Sequence, residues 1–332
     1  MLPSSSPLQV GVVGCGHFGR FHALKLAAGR RMRLIGVCDR DPARAEALAQ
    51  ETGSPALSWA AMLDCAGAVI VAAPAEAHHR LASDALRAGR HVLVEKPIAA
   101  TLAEADALAA LAADSGRVLQ VGHLLRYSAE HRAITIRMRR PLYLECVRIA
   151  PFKPRGTDVS VILDLMIHDL DLVLALVDSP IANVDAIGAP VASAHEDIAN
   201  ARVRFENGAV ATITASRISL KTERKMRLFS QEGYMSVDFA TRKLMMIGRE
   251  RGVPLPGTGG GRLEETIWTD HDAMQAEHDA FAASVLDGAP VIVDAAAGRR
   301  ALAAALSVAD SMATSRRVAE ASGLIEWPAP GA

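Results

Sequence analysis

The chain has 332 residues, half of them hydrophobic, and a formal net charge of −1 at pH 7. This length predicts two domains, and the balanced charge indicates no surface for nucleic acid or an anionic membrane. The four cysteines lack a C-x-x-C spacing, which argues against a zinc site or disulfides and favours a reducing compartment. The first residues lack the basic region and the apolar region of a secretory signal peptide. The sequence also has no run of 18 uncharged apolar residues that would predict a membrane span. We therefore expect a cytoplasmic protein that holds no metal.

Residues 1–122 alternate between apolar, β-branched runs and Ala- and Leu-rich amphipathic stretches. Apolar runs without polar alternation are typical of parallel strands covered on both faces, so we expect a doubly wound α/β domain of the Rossmann type. Strands are predicted over Val10–Val13, Leu34–Cys38, Ala68–Ala72, His91–Val94 and Val118–Val121, and helices over Phe18–Ala28, Pro42–Thr52, Ala77–Ala88 and Leu102–Asp114.

A glycine motif joins the first predicted strand to the first predicted helix. Gly14, Gly16 and Gly19 form G-x-G-x-x-G. In this motif the glycines allow a tight turn, the approach of a pyrophosphate and close helix–strand packing. The phosphates of a dinucleotide are expected at the helix N-terminus, near His17 and Phe18.

An acidic residue lies where a dinucleotide-binding domain contacts the ribose. Asp39 ends the second predicted strand, 20 residues after Gly19. Its carboxylate can bind the ribose 2′-hydroxyl and would repel a 2′-phosphate, so NAD is favoured over NADP. The neighbouring Arg40 would weaken that preference.

The segment after the third predicted strand lies at the sheet edge where such domains bind ligands. Ala73 and Pro74 end this strand, and His78 follows them. We expect the three residues to contact the nicotinamide or its ribose. The alternative for His78 is a residue at the start of a helix that faces water.

Glu95-Lys96-Pro97 follows the next predicted strand at the same edge. An ammonium at Lys96 can hydrogen-bond a substrate hydroxyl and stabilise the alkoxide as hydride leaves its carbon. We therefore expect Lys96 to be catalytic and to contact substrate, and Glu95 to contact the cofactor. The alternative is a surface lysine in a turn fixed by Pro97.

Residues 123–332 show a different pattern, and we expect an α+β domain built on an open, mainly antiparallel sheet. Glu206-Asn207-Gly208 and Gln231-Glu232-Gly233 are typical hairpin turns. The glycine-rich segment Pro254–Arg262 lacks the ending of a phosphate loop and is expected to be a mobile loop. Strands are predicted over Ala182–Ile187, Asn200–Phe205, Ala209–Ser216, Lys225–Ser230, Tyr234–Phe239 and Leu244–Ile247, and helices over Val161–Val177, Ala273–Leu286 and Ala295–Ser315. Because an open sheet face is commonly buried against another subunit, we expect a homodimer or homotetramer.

The helix predicted over Val161–Val177 carries Asp164, His168 and Asp171 on one stripe of an otherwise apolar run. Buried ionisable groups are costly unless they are paired, and a carboxylate one turn from an imidazole can orient it as a general base. We interpret Asp164 and His168 as an acid–base pair that contacts substrate. The alternatives are a helix cap with a core histidine, and a zinc site short of ligands. Asp169 falls off the stripe and is given no role.

These motifs resemble, in order, those of the Gfo/Idh/MocA family of sugar and cyclitol oxidoreductases, over essentially the whole chain. The matching segments are Gly14-Cys-Gly-His-Phe-Gly19, Ala73-Pro74-x-x-x-His78, Glu95-Lys96-Pro97 and Asp164-x-x-x-His168. The resemblance implies a Rossmann domain, a mainly antiparallel sheet domain and a sugar bound between them. It also implies a catalytic lysine at Lys96 and the acid–base pair. Many members have Thr-Pro-Asn where this chain has Ala73-Pro74-Ala75, so a cofactor contact at Ala75 is left open.

Other segments are similar to the branch of the family that oxidises UDP-N-acetylglucosamine at carbon 3, a step that in some bacteria leads to a diamino sugar of lipid A. They are Val121-Gly-His-Leu-Leu-Arg-Tyr127, Arg155-Gly-Thr-Asp158, Asp197-Ile-Ala-Asn-Ala201 and Ala215-Ser-Arg217. This similarity implies Arg126, Arg155 and Arg217 as candidates for the UDP phosphates, since guanidinium groups suit phosphates. Salt bridges are the alternative for these arginines. Rival functions are the oxidation of inositol or an unactivated sugar, and a non-catalytic NAD-responsive sensor.

Overall fold

A computed structural model describes residues 6–153 and 159–325. The chain divides into two compact units. The first contains the residues up to Tyr127 together with Asp272–Leu302, and the second contains Ser128–His271 and the residues from Ala303 onward. The domain boundary expected between residues 122 and 123 stays a prediction. The structure adds that a late segment of the chain packs with the N-terminal residues.

The first unit is built on five strands and the helices between them. The strands are β1 Leu8–Val13, β2 Met32–Cys38, β3 Ala68–Val71, β4 His91–Glu95 and β5 Leu119–Gly122, and the helices are α1 His17–Ala27, α2 Pro42–Thr52, α3 Trp59–Cys65, α4 Ala75–Arg87 and α5 Leu102–Ser115. All paired strands of this sheet are parallel, in the order β2-β1-β3-β4-β5. The strand order reverses beside β1, which places a ligand crevice at the carboxyl ends of β1 and β3.

The late segment joins the first unit through a shared core. Phe281 and Ala282 lie in the same buried cluster as Val10, Ile70 and Leu93 of the sheet. Phe281 is fully buried, so its contacts with these strands explain why Asp272–Leu302 packs with them.

The second unit is built on nine strands. They are β6 Tyr143–Ile149, β7 Ile181–Ala189, β8 Ile198–Phe205, β9 Val210–Ser216, β10 Glu223–Ser230, β11 Gly233–Asp238, β12 Lys243–Gly248, β13 Val253–Pro254 and β14 Arg262–Ile267. Their order is β13-β14-β12-β11-β10-β6-β9-β8-β7. β6 and β9 pair in parallel, and the other neighbouring strands of the described sheet are antiparallel. The expected fold class, a Rossmann domain followed by a mainly antiparallel sheet domain, is confirmed.

The two faces of the nine-stranded sheet differ in exposure. Leu144 and Cys146 of β6 are fully buried beside Met226 and Leu228 of β10. On the opposite face, Phe229 is 43% exposed, and its neighbours across the sheet are Tyr143 and Tyr234. The ring centroids of Phe229 lie 5.8 Å from those of Tyr143 and 5.0 Å from those of Tyr234. This face therefore carries an aromatic row in which Phe229 is exposed and the two tyrosines are half-buried.

Two segments of the later described chain differ from the prediction, and this part of the chain has four α-helices. They are α6 Ala129–Arg137, α7 Ile167–Val177, α8 Ala273–Leu286 and α9 Ala295–Ala321. The span Val161–Val177 is helical as expected, but its first turn, Ile162–Met166, is π-helical and α7 follows it directly. The segment Pro254–Arg262, expected to be a loop, contributes its ends to β13 and β14, which pair with each other. The strands β6 and β14 and the helices α3 and α6 were not predicted.

Two kinds of feature are missing from the described part of the chain. No helix in residues 6–153 and 159–325 combines the length and apolar character needed to cross a bilayer. Within the same ranges, no group of three or more His, Cys, Asp or Glu side chains is arranged to hold a metal ion.

Candidate active site

The glycine loop after β1 has the geometry that a pyrophosphate needs. Gly14 has a φ of +94°, and a Cβ at Gly19 would lie 1.7 Å from the carbonyl oxygen of Gly14. Both positions therefore require glycine for the turn and for the packing of α1. A Cβ at Gly16, in contrast, would meet no neighbouring described atom within 4 Å. This open position fits a cofactor phosphate at the N-terminus of α1, where His17 and Phe18 begin the helix.

Asp39 is fixed against this loop by main-chain donors. Its Oδ2 accepts the N–H of Cys15 at 2.6 Å, and its Oδ1 accepts the N–H of Asp41 at 2.9 Å. The carboxylate lies at the end of β2, beside the loop that would hold the pyrophosphate, whereas Arg40 is exposed. Asp39 is thus held where a ribose hydroxyl can be bound.

His78 joins the two loops that follow β3 and β4. It is 1% exposed. Its Nδ1 lies 2.7 Å from the carbonyl oxygen of Pro97, and its Nε2 lies 2.7 Å from that of Ala73. Burial lowers the pKa of His78. The alternative of a solvent-facing residue is therefore wrong. The cofactor contacts expected for Ala73, Pro74 and His78 stay predictions.

Lys96 lies directly after β4, between two residues that are held in place. Glu95 is 7% exposed, and its Oε2 accepts the main-chain N–H of Lys96 at 3.2 Å. Pro97, joined to Lys96 by a cis peptide bond, is held by His78 on the other side. Lys96 is half-buried, and its catalytic role and the alternative of a surface lysine both stay predictions.

Asp164 and His168 flank the junction between the π-helical turn and α7. Asp164 lies within the π turn, and His168 is the second residue of α7; both are half-buried. A spacing of four brings two side chains to one face of an α-helix, and a single π turn, which closes on the fifth following residue, leaves them near that arrangement. Such turns occur often at functional sites. The local geometry is compatible with the expected acid–base pair, whose roles stay predictions.

A buried ion pair next to His168 was missed by the sequence-based prediction. Nε and Nη2 of Arg148 donate to the two carboxylate oxygens of Asp169 at 2.7 and 2.8 Å. Arg148 is 5% exposed and Asp169 is 3% exposed. The pair ties α7 to β6 and thereby holds the main chain that carries His168. The sequence feature that could have revealed this pair is Arg148 itself, which lies at an inward position of the alternating run Tyr143–Ile149.

The three arginines expected at the UDP phosphates have different surroundings. Arg217 is 4% exposed, and its Nε donates to Oδ1 of Asp197 at 2.7 Å while its Nη1 donates to the carbonyl oxygen of Val159 at 2.8 Å. Arg126 lies in a 3₁₀ turn, Leu124–Tyr127, and is half-buried. Arg155 lies outside the described residues. Arg217 therefore has an internal ion pair, and all three phosphate contacts stay predictions.

Asp197 is held as an anion by several donors. Its Oδ2 accepts the main-chain N–H groups of Val191, Ala192 and Ser193 at 2.8, 2.6 and 2.9 Å. Burial alone would raise the pKa of Asp197, but these N–H groups and Arg217 outweigh it and hold the pKa far below its usual range.

The sequence matches two family models that together follow the two-part architecture. The model for the oxidoreductase family with an NAD-binding Rossmann fold matches residues 8–123, and the GFO/IDH/MocA C-terminal domain matches residues 131–236. The chain belongs to the Gfo/Idh/MocA family. It is an oxidoreductase of that family with an NAD-binding Rossmann domain, as the motif order predicted.

Individual members of the family are similar to the chain to different extents. UDP-N-acetylglucosamine 3-dehydrogenase of Acidithiobacillus ferrooxidans is 41% identical over 306 residues, which cover 91% of this chain and 96% of that protein. Its solved structure matches with a TM-score of 0.86 at 40% identity and covers 92% and 97% of the two chains. Myo-inositol dehydrogenase Hyg17 of Streptomyces leeuwenhoekii is 33% identical over 231 residues, 63% of this chain and 70% of that protein. Scyllo-inositol dehydrogenase of Lactobacillus casei, solved with NAD(H) and scyllo-inositol, shares the fold with a TM-score of 0.77 at 20% identity over 93% and 98% of the chains.

Proposed function

We propose that this protein oxidises the 3-hydroxyl of UDP-N-acetylglucosamine to a ketone, with NAD as the hydride acceptor. The observation that supports this most strongly is the 41% identity to the Acidithiobacillus ferrooxidans 3-dehydrogenase over 91% of the chain. Lys96, Asp164 and His168 are present at the motif positions where the family resemblance expects its catalytic groups.

In the proposed mechanism each of three side chains has one task. His168, oriented by Asp164, takes the proton of the 3-hydroxyl as general base. The ammonium of Lys96 stabilises the negative charge that develops on the oxygen. NAD, held by the glycine loop and Asp39, would act as the hydride acceptor. The C–H bond and the O–H bond of the substrate both break, so the sugar loses two hydrogens and a 3-keto nucleotide sugar forms.

The cofactor would be held by the glycine loop and by Asp39. The open position at Gly16 supports a close approach of the pyrophosphate to the backbone. The carboxylate of Asp39, fixed by the N–H of Cys15 at 2.6 Å, would bind the ribose hydroxyls and repel a 2′-phosphate. These two features support NAD rather than NADP.

We assign the diphosphate of the substrate to Arg126 and Arg155, because Arg217 already donates to Asp197 and Val159. A guanidinium group can bind a phosphate through two parallel hydrogen bonds. Replacing Arg126 by Ala should raise the KM for UDP-N-acetylglucosamine about tenfold or more and change kcat less, in steady-state assays. An unchanged KM would remove Arg126 from the phosphate site.

Self-association of the protein is supported by the aromatic row of the second unit. Tyr143, Phe229 and Tyr234 lie side by side on the open face of the nine-stranded sheet. A second copy would cover this row in a homodimer or homotetramer. Light scattering should then give a multiple of the chain mass, and Phe229→Glu should lower the measured mass.

The four free thiols support a cytoplasmic location, because disulfides are rare in that compartment.

The proposed reaction can be tested by incubating the purified protein with NAD and UDP-N-acetylglucosamine. NADH should appear, and mass spectrometry should show a nucleotide sugar that lacks two hydrogens. The same assay with myo-inositol and scyllo-inositol decides between the proposal and its nearest rival. Turnover of an inositol alone would overturn the nucleotide-sugar assignment. Binding of NAD without turnover of any substrate would favour a sensor.

A further inference from the structure

Four ionisable side chains form a buried cluster behind Lys96 in the first unit. His22 comes from α1, Glu95 ends β4, and Glu277 and His278 come from α8. Their exposed fractions are 0, 7, 0 and 2%, in that order. Buried ionisable groups are costly unless their charges and hydrogen bonds are matched, and the expected reaction chemistry uses neither histidine.

Three of these side chains are linked by hydrogen bonds in a row. The Nε2 of His22 lies 2.9 Å from Oε1 of Glu95, and its Nδ1 lies 2.8 Å from Nε2 of His278. A carboxylate only accepts hydrogen bonds, so Nε2 of His22 donates to Glu95. With its second nitrogen accepting from His278, His22 is satisfied on both sides. The other carboxylate oxygen of Glu95 accepts the main-chain N–H of Lys96.

Glu277, the fourth member of the cluster, differs from Glu95 in its hydrogen bonds and in the direction of its pKa shift. Neither of its carboxyl oxygens has a hydrogen-bond partner among the described residues. Burial and the neighbouring charge of Glu95 raise the pKa of Glu277 well above its usual range. For Glu95, burial acts in the same upward direction, but the hydrogen bond from His22, together with Lys96, holds its pKa low. The negative charge is therefore favoured on Glu95 and disfavoured on Glu277.

We propose that His22, backed by His278, is a positioning residue for Lys96. By donating a hydrogen bond to Glu95 it keeps the negative charge of this cluster on Glu95. That charge in turn holds the side chain of Lys96 in its ammonium form. The role of this ammonium in catalysis rests on the proposed function. Its charge state is independent of the proposed function, because it can be measured without any substrate.

The position of His22 gives the arrangement a further consequence. His22 lies on α1, the helix whose N-terminus carries the glycine loop, and His278 lies on the late segment that packs against the first sheet. The hydrogen-bonded row therefore connects the helix of the glycine loop and the late segment to Glu95 at the end of β4. A Cβ at Gly122 would lie 3.1 Å from the Glu95 carboxyl group, so the glycine in β5 makes room for the Glu95 side chain.

Other charged groups act on the cluster from the elements around it. Lys96 and His78 interact electrostatically with Glu95. Lys25 and Asp272, which form an ion pair with each other, act on His278 from the other end. Burial, with the charge of Lys25, lowers the pKa of His278 to about 3, so this imidazole stays neutral at physiological pH.

The proposal is tested by measuring how readily the amine of Lys96 is acetylated as the pH rises. A limiting amount of acetic anhydride is used, and each lysine is quantified by mass spectrometry, with exposed Lys221 as the internal reference. Loss of the His22 donor lets Glu95 take up a proton, and Lys96 then loses the anion that favours its ammonium form. In His22→Leu the acetylation midpoint of Lys96 should therefore move to lower pH by about one unit.

Three further variants make this result specific. His22→Gln keeps an N–H that can reach Glu95 and should retain the wild-type midpoint. Leu26→Ala disturbs the packing of α1 at another buried position, and Glu277→Gln removes a carboxyl group that carries no charge; neither should move the midpoint. An unshifted His22→Leu, or the same shift in Leu26→Ala or Glu277→Gln, overturns the proposal.

Kinetics add a second readout once the substrate is known. In His22→Leu, kcat should fall about tenfold or more while the KM for NAD changes less than about threefold, because only the placement of the reacting group is lost. His22→Gln should restore kcat. A wild-type enzyme without turnover would contradict the proposed function and leave the acetylation result to decide the present proposal.

Discussion

The two units bury polar groups in different ways. In the first, the groups around Lys96 are histidines and carboxyls, whose charges can be gained or lost. In the second, buried carboxylates are paired with arginines: Arg148 with Asp169, and Arg217 with Asp197. A guanidinium keeps its charge at every pH at which the protein folds. The first arrangement can therefore adjust its charge, whereas the ion pair of Arg148 and Asp169 holds a fixed geometry next to His168.

The largest effect on activity is expected when the proposed reacting group of each unit is removed. Lys96→Ala and His168→Ala should each lower kcat about a thousandfold, because each removes a group that acts in the transition state. The Kd for NAD, measured by calorimetry, should change only a few-fold. Lys221→Ala and His195→Ala, at exposed positions, should leave kcat unchanged. Equal losses of kcat and NAD affinity would contradict the assigned roles.

The second unit should depend strongly on its buried ion pair. Arg148→Ala leaves the carboxylate of Asp169 buried without its partner and should lower the free energy of unfolding by about 3–5 kcal/mol. Replacing both partners by Met and Leu should recover much of this loss. The matched control is Arg227→Ala, which breaks the exposed pair with Glu145 and should cost less than about 1 kcal/mol. Similar urea midpoints for Arg148→Ala and Arg227→Ala would show that the buried pair has no special role.

Acid should affect the first unit before the second. His278 has a pKa of about 3 in the fold against an ordinary value of 6.5. Below pH 6.5 the unfolded chain therefore binds a proton at His278 that the fold excludes, and this group alone lowers stability by about 2 kcal/mol by pH 5. Glu277, whose pKa is raised in the fold, acts in the opposite direction, so the comparison is made in a Glu277→Gln background. The pKa of Asp197 is lowered in the fold, so its contribution persists until the pH falls below its ordinary value, near 4.

Hydrogen exchange measured at pH 7 and pH 5, corrected for intrinsic rates, separates the two units. Peptides from β1 and α1 should lose protection at pH 5, while peptides from β6 and β9 should keep it. His278→Gln should remove the pH dependence of the first unit. Equal losses in both units would contradict the difference between them.

A smaller effect is expected at the cofactor ribose. Asp39→Ser should weaken NAD binding and strengthen NADP binding, so that the ratio of the two Kd values changes about tenfold. Arg40→Ala should change the ratio in the opposite direction. An unchanged ratio in Asp39→Ser would remove Asp39 from the choice of cofactor.

Sequence patterns were sufficient for elements whose burial gives a clear period. The parallel strands β1 to β5 are apolar runs, and each expected site residue of the first unit follows such a strand. β6 was missed because the buried Arg148 interrupts its apolar alternation, and β14 because Glu264 and Glu265 give it the composition of a loop. The π turn changes the helical hydrogen bonds without changing the residue pattern around Asp164, so no sequence period could reveal it.

The buried cluster behind Lys96 could not be predicted for a different reason. His22 and His278 are 256 residues apart, and each lies alone in a helix where it gives no motif. Their hydrogen bond exists only because the late segment packs against the first sheet. By contrast, Glu95 and Lys96 could be selected from the sequence, since adjacency to a strand end is a local property.

The central claim, hydride transfer from carbon 3 of the nucleotide sugar, is tested most directly with UDP-N-acetylglucosamine carrying deuterium at that carbon. We expect the deuterium to appear in the reduced cofactor, the sugar product to be free of it, and the chemical step to slow with the label. Unlabelled NADH with deuterium retained in the sugar would show that the hydride comes from another carbon, and would contradict this account.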